Sequence, residues 1–298
     1  MTPRSSAFYA HSGRVGSAVL LAPLAGLAAA IPLSFVYGYL LVYSPVVGYV
    51  NFLFLLGLGY GLGKPIAVAA RIGKCRSRPF LLATGVLTGA FALYLSWAVF
   101  VFALFSRYDE TFSGSLLQVA APEVLWELIS GINADGWYTI AGITPSGILL
   151  WGFWAVEAAV TVGFPAWLAG DAITDAVFCE RCAAWCGDPK PLAFLAAPAD
   201  EMTLSSLREG SIDALERLAA PEGAMGTFLV VDARRCATCQ TMGVYRIRQH
   251  TRSIGKDGGV ELATSMVSPF VRGSEEQIAR ISAIGARAEA AAAERNGS

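Results

Sequence analysis

The sequence predicts a two-part fold: a membrane all-α four-helix bundle followed by a small α+β, zinc-ribbon-like domain in the cytosol. Three observations predict it. Only 15% of the 298 residues are charged, against about 25% in soluble chains. The charged side chains are also unevenly spread, 14 before residue 171 and 31 from there on. Finally, four cysteines fall in two Cys-x-x-Cys pairs, both in the polar part.

Residues 1–14 form a short polar lead with Arg4 and Arg14 and no acid, read as a cytosolic segment. A spanning helix needs about 20 mainly apolar residues, at about 1.5 Å each across a core of ~30 Å. Within 15–170, four stretches qualify: about 15–43, 46–70, 80–105 and 147–170. The first could be taken for a signal peptide, because Leu27-Ala28-Ala29-Ala30 resembles a cleavage site. Its apolar run continues to Tyr43, well beyond a signal core of about 7–15 residues, so a retained helix is expected. Ser44-Pro45 leaves room only for a tight hairpin before the second helix.

Gly57, Gly59, Gly61 and Gly63 punctuate that second helix. No strand precedes them and no Gly-Lys-Ser/Thr follows, so nucleotide binding is rejected in favour of close helix–helix approach in lipid. Lys64, Arg71, Lys74, Arg76 and Arg78 then form a basic link with no acid. By the positive-inside rule that link is cytosolic. The 106–146 link holds Arg107 against Asp109, Glu110, Glu123, Glu127 and Asp135, and is expected outside. Within it, 122–132 has helical amphipathic spacing, suited to packing on the bundle or lying on the outer surface. Both termini are thereby placed in the cytosol of a multi-pass protein, with compact loops and Ala/Gly/Arg-rich usage that suit a bacterial plasma (inner) membrane.

Glu157 lies in the middle of the fourth stretch. A carboxylate at that depth costs about 3 kcal/mol on insertion scales, so it must face the bundle and find a partner, or be protonated. Ser96, Tyr94 and, at longer reach, Lys64 are its expected partners. It is read either as an acid that locks two helices together or as a proton or cation relay.

The polar part divides into a four-cysteine domain over 171–272 and an Ala-rich helix over 273–298 that should pack weakly. In a reducing cytosol, Cys179, Cys182, Cys236 and Cys239 point to metal rather than disulfides. Two knuckles presenting four thiolates make a closed tetrahedral site for one zinc per chain; a four-thiolate iron site uses the same donors. Strands are expected at 227–232, from 244 onward and at 260–267, with an inserted helix over 203–218 between the knuckles. Cys186 is an alternative ligand or a spare thiol, and Cys75 a free one. Arg246, Arg248, His250 and Arg252 alternate along one strand and so share a face, with Arg234 and Arg235 across the hairpin. That face would suit anionic lipid headgroups or an acidic protein partner, or be simply the solvated side of a sheet. There are too few aromatics there for nucleic-acid stacking.

The segments Arg71-Ile72-Gly73-Lys74-Cys75-Arg76, Ala92-Leu93-Tyr94-Leu95-Ser96-Trp97, Trp151-Gly152-Phe153-Trp154-Ala155-Val156-Glu157 and Phe178-Cys179-Glu180-Arg181-Cys182 resemble those of uncharacterised bacterial multi-pass inner-membrane proteins with a C-terminal zinc-ribbon-like domain. The resemblance spans most of 46–186 and implies an architecture without an activity.

From the residues themselves, a closed four-ligand site leaves no position for a reactive water. His11 and His250 are the two histidines, and no nucleophile–base set stands out. The expected role is therefore non-enzymatic: a membrane-anchored zinc domain acting as an interaction module, in contact with membrane lipids and free to oligomerise. The alternatives are ion- or proton-coupled transport through Glu157, with the zinc domain regulatory, and thiol redox at a Cys-x-x-Cys pair.

Overall fold

In a computed structural model, residues 7–44, 49–136, 144–221, 223 and 225–297 are described. The chain separates into two compact units, one of residues 12–175 and one that joins the N-terminal residues up to His11 with Ala176–Ser298.

The first unit is helical. Its long elements are α1 (Ala18–Tyr43), α2 (Tyr49–Ile72), α3 (Arg78–Tyr108) and α6 (Gly147–Asp171), with the short α4 (Leu116–Val119) and α5 (Pro122–Asp135) between α3 and α6. All four long helices are long and apolar enough to cross a membrane. Their outward faces are apolar as well, with Leu20, Leu53, Leu87 and Ile148 among the most exposed large side chains. A helix apolar all round belongs in a core or in lipid. Pro23, Pro32, Pro65 and Pro165 lie inside these helices, as spanning helices tolerate when neighbours re-satisfy the freed backbone.

The four helices pack mainly in a ring, α1 on α3, α3 on α6, α6 on α2 and α2 on α1, with a smaller contact of α2 on α3 across it. The closest approach was not the one expected from sequence. A Cβ on Gly85 would sit 2.4 Å from Ala166 Cα, and one on Gly89 2.6 Å from Thr161 O. This Gly-x-x-x-Gly pair of α3 lets two backbones touch. In α2, Gly59 meets the Phe164 side chain of α6, Gly63 meets Leu168 and the Pro165 Cα of α6, Gly61 meets Leu33, and Gly57 meets nothing within 4 Å. Gly59, Gly61 and Gly63 therefore pack, but Gly57 does not.

Helix α5 packs on the bundle. Pro122 opens it and Gly136, at φ 85°, closes it; its Leu125, Ile129 and Ile132 join Val42, Ala98, Val101 and Trp154 in one core cluster. Part of the 106–146 link, residues 137–143, lies outside the described residues, as does most of the expected tight turn at 45–48.

The second unit is a sheet with helices on one face. Strand order is β3 (Lys190–Ala196), β4 (Gly226–Arg235), β5 (Gly243–Ile254), β6 (Val260–Met266), all antiparallel, with β7 (Val271–Gly273) also on β5. A separate two-residue hairpin pairs β1 (Phe178–Cys179) with β2 (Ala184–Trp185). Strands β4, β5 and β6 fall where alternation placed them. Strand β3 was not foreseen, and it makes the region between the knuckles part of the sheet.

The single inserted helix expected over 203–218 is two: α7 (Glu201–Arg208) and α8 (Ile212–Leu215). Gly210 between them adopts φ 81°, a left-handed conformation that ends a helix. Its carbonyl accepts a hydrogen bond from the buried Tyr245 hydroxyl at 2.6 Å, fixing the break to β5.

The C-terminal α9 (Glu275–Gly297) also departs from expectation. Rather than packing weakly, it buries Ile278, Ile281 and Ile284 to 3% exposure or less against Leu195, Leu229, Val231 and Ile247. Burying a Leu- or Ile-sized side chain is worth about 1.5–3 kcal/mol, so three such anchors outweigh the polarity of the alanine-rich remainder. The N-terminal segment is likewise not a free lead: Phe8 bridges Val271, Tyr9 N donates to Phe270 O and Arg272 N to Ala7 O, both at 2.8 Å.

Candidate metal centre

The two Cys-x-x-Cys pairs close on each other. The first is carried by the β1–β2 hairpin, with Cys179 opposite Ala184 and Phe178 opposite Trp185. The second turns between β4 and β5, where Cys236 N donates to Met242 O and Gln240 N to Cys236 O, both at 3.0 Å. Each pair is followed by a non-glycine residue at positive φ, Ala183 at 49° and Gln240 at 56°. A left-handed residue directly after the second cysteine turns the chain back under both thiols, so the two loops are local copies of one device.

The Sγ atoms of Cys179, Cys182, Cys236 and Cys239 all lie within 4.8 Å of one another. The Cys179–Cys239 separation is 3.8 Å, the edge of a tetrahedron whose zinc–sulfur bonds are about 2.3 Å. No two of the four are joined as a disulfide. Electrostatics divides the set in two. Thr241 Oγ1 donates to Cys239 Sγ at 3.3 Å and, with the Met242 N–H, brings that thiol down to about 5. Cys236 is lowered by the Cys239 N–H. Cys182 is pushed up to about 12, foremost by its hydrogen bond with Cys239, and Cys179 is raised by burial. A metal bound there would take all four as thiolates, since a metal ligand must be deprotonated.

The donors fit a metal that prefers four thiolates. With four protein ligands the shell is closed, which is the pattern of structural rather than catalytic zinc. Cys186, the alternative ligand, is not in the cluster; its N donates to Val177 O at 2.8 Å, and burial raises its thiol to about 11. Cys75 is also free and fully buried, under the turn that follows α2.

Sequence reasoning missed the aromatic support of the first knuckle. Tyr9 Oη accepts from Phe178 N at 2.9 Å and meets His11 Nδ1 at 3.1 Å, while Trp185 packs edge-on against Phe178 and His11. Nothing local in residues 7–11 signals this, because the contact joins residues 169 positions apart.

The basic residues are only partly gathered. Register places Arg234, Arg246, Arg248, His250 and Arg252 on one sheet face, but pairs Arg235 with Gly243 on the other. The shared face is not an open cationic surface. Arg246 and His250 are buried, Arg246 lies over the Phe270 ring and Arg252 over Phe228. Arg248 pairs with the buried Asp232. His250 stacks on Phe228 and contacts Thr264 Oγ1 through Nδ1; desolvation, reinforced by Arg248, lowers its pKa.

Glu157, in the helical unit, accepts a 2.8 Å hydrogen bond from Tyr37 of α1. This replaces the expected partners. Tyr94 donates instead to Ala120 O, Ser96 to Leu93 O, and Lys64 is exposed. Tyr37 was overlooked because two helices far apart in sequence meet only once the bundle is assembled.

No family model matches the chain, and no curated protein or solved structure does either.

Proposed function

We propose that this is a multi-pass membrane protein whose sheet unit is folded around one zinc and serves in the cytosol as a non-enzymatic interaction module. The observation that carries the reading is the convergence of four thiols, from loops about 55 residues apart in sequence, within 4.8 Å. A closed thiolate shell contributes folding energy and offers no site for a substrate, which assigns the metal to structure and the activity to surfaces.

Topology supports the same reading from a second direction. Residues 7–9 pair with the strand at Val271, so the segment before α1 and the unit after α6 lie on one side of any membrane. An even number of crossings satisfies that, and there are four candidate helices among the described residues. The acid-free link with Lys64, Arg71, Lys74, Arg76 and Arg78 assigns that side to the cytosol, where zinc rather than disulfide chemistry is favoured. Thiol redox is less well supported, since neither pair opens a helix as a thioredoxin-like motif does.

The test is elemental analysis of the full chain purified in mild detergent, with thiols counted before and after denaturation. About one zinc per chain, and four thiols masked until unfolding, is the expected result. Metal-free protein with reducible disulfides would overturn the assignment. Iron in place of zinc would correct the metal and leave the fold argument standing.

A further inference from the structure

The helical unit encloses a second polar constellation that the metal centre does not use. A cavity of about 340 Å³ lies between all four long helices, within the range of small-molecule sites. Each helix supplies one oxygen-bearing side chain to its lining: Tyr37 from α1, Asn51 from α2, Ser96 from α3 and Glu157 from α6. Trp97 and Trp154, edge to face at 4.8 Å, form part of its aromatic wall, and among the described residues no Lys, Arg or His contributes to the lining.

These groups hold more acceptors than donors. A carboxylate can accept about four hydrogen bonds, and among the described residues Tyr37 supplies the one that Glu157 receives. The Asn51 Oδ1 is buried without a partner. Ser96 has spent its proton on Leu93 O, leaving its lone pairs. An anion would find no cationic group here. A bare Mg²⁺ or Ca²⁺ needs six or more oxygens, more than four such side chains and an apolar wall provide. A cation with a hydrocarbon body meets both halves of the lining, its charge against Glu157 and its body against indole and phenyl faces.

We infer that the bundle cavity is a binding site for a monovalent organic ammonium with a compact apolar body, its charge paired with Glu157 and its orientation set by Asn51 and Tyr37. The chemistry is common to free lipophilic amines and to the headgroup of an aminolipid.

The test uses the full chain in dodecyl maltoside micelles, titrated with benzylammonium, whose N–H groups can donate to Glu157 and Asn51, and followed by calorimetry and by tryptophan fluorescence, since Trp97 and Trp154 line the cavity. Ethylbenzene, its uncharged isostere, is the control. Saturable binding of the cation is expected, with a loss of about tenfold or more in Glu157→Gln, as for other charge-assisted contacts. Asn51→Leu, of similar volume, should weaken binding about threefold; it carries the test if Glu157→Gln does not fold. Competition by phosphatidylethanolamine but not phosphatidylglycerol would identify the natural source as a lipid headgroup, and competition by neither as a free amine. Equal binding of the neutral isostere, no saturable binding, or unchanged affinity in the folded variant would overturn the site.

Discussion

The cysteine cluster and the bundle cavity both gather polar side chains from distant parts of the chain, yet they satisfy them to different degrees. At the cluster, four thiols converge within 4.8 Å of one another, with Thr241 hydrogen-bonded to Cys239 and Phe178 N, next to Cys179, held by Tyr9. Nothing is left over once a metal is counted. At the cavity, Glu157 has one hydrogen bond and Asn51 Oδ1 has none. A saturated shell specifies structure, because any further ligand would have to displace a protein group. An unsaturated one with room beside it has capacity for a guest.

Removing ligands gives the largest expected contrast. Cys236→Ser with Cys239→Ser should abolish zinc binding and open the sheet unit to proteolysis, because binding energy of roughly 10–16 kcal/mol in small zinc domains is folding energy. The helical unit, whose core shares no residue with the cluster, should keep its helical circular dichroism. Simultaneous melting of both would break the distinction between the two units.

A smaller effect separates packing in the two. Asp232→Ala in the sheet unit strands Arg248 on a largely buried face and should cost about 3 kcal/mol, the lower end for breaking a buried pair. Thermal denaturation with intact zinc would measure it, and a negligible shift would mean that Arg248 simply turns to solvent. Next, Gly89→Val in the bundle forces a side chain to within 2.6 Å of the α6 backbone. Overpacking of this kind costs about 1–3 kcal/mol, read as a lower midpoint of detergent-induced unfolding, while Gly57→Val, with open space around it, should be silent.

The smallest effect should be favourable. Ala183 sits at φ 49°, where an L-residue with a Cβ loses roughly 1–2 kcal/mol. Ala183→Gly should recover about 1 kcal/mol, less the added freedom of the unfolded chain, without changing metal content. A fall in stability would show that the Ala183 methyl contributes packing to the knuckle that outweighs its strain.

Several elements were legible because their signals are local. The four apolar runs, the amphipathic 122–132 segment and the alternation of β4 to β6 all follow from neighbours within a few turns or pleats. The knuckles were legible because Cys-x-x-Cys is itself the local structure. Other elements were not. Strand β3, Lys190-Pro191-Leu192-Ala193-Phe194-Leu195-Ala196, has a proline and no clean alternation, and it is a strand because β4 is there to pair with it. Helix α9 looked weak by composition, and its three isoleucines became anchors once a sheet face was offered. Arg235 was grouped with Arg234, although adjacent residues on a strand point to opposite faces.

What the sequence determined by itself was therefore the solvent each half prefers and the chemistry of its donors. Hydropathy and ligand type are properties of residues, and no fold is needed to state them. Which donors meet was decided by the tertiary structure alone: that Cys179 faces Cys239, that Tyr37 rather than Ser96 reaches Glu157, that Phe8 pairs beside Val271. Each of these contacts spans 60 residues or more, and at that separation the partner is chosen by the packing of whole helices and strands, a free energy summed over many burials that no single residue carries.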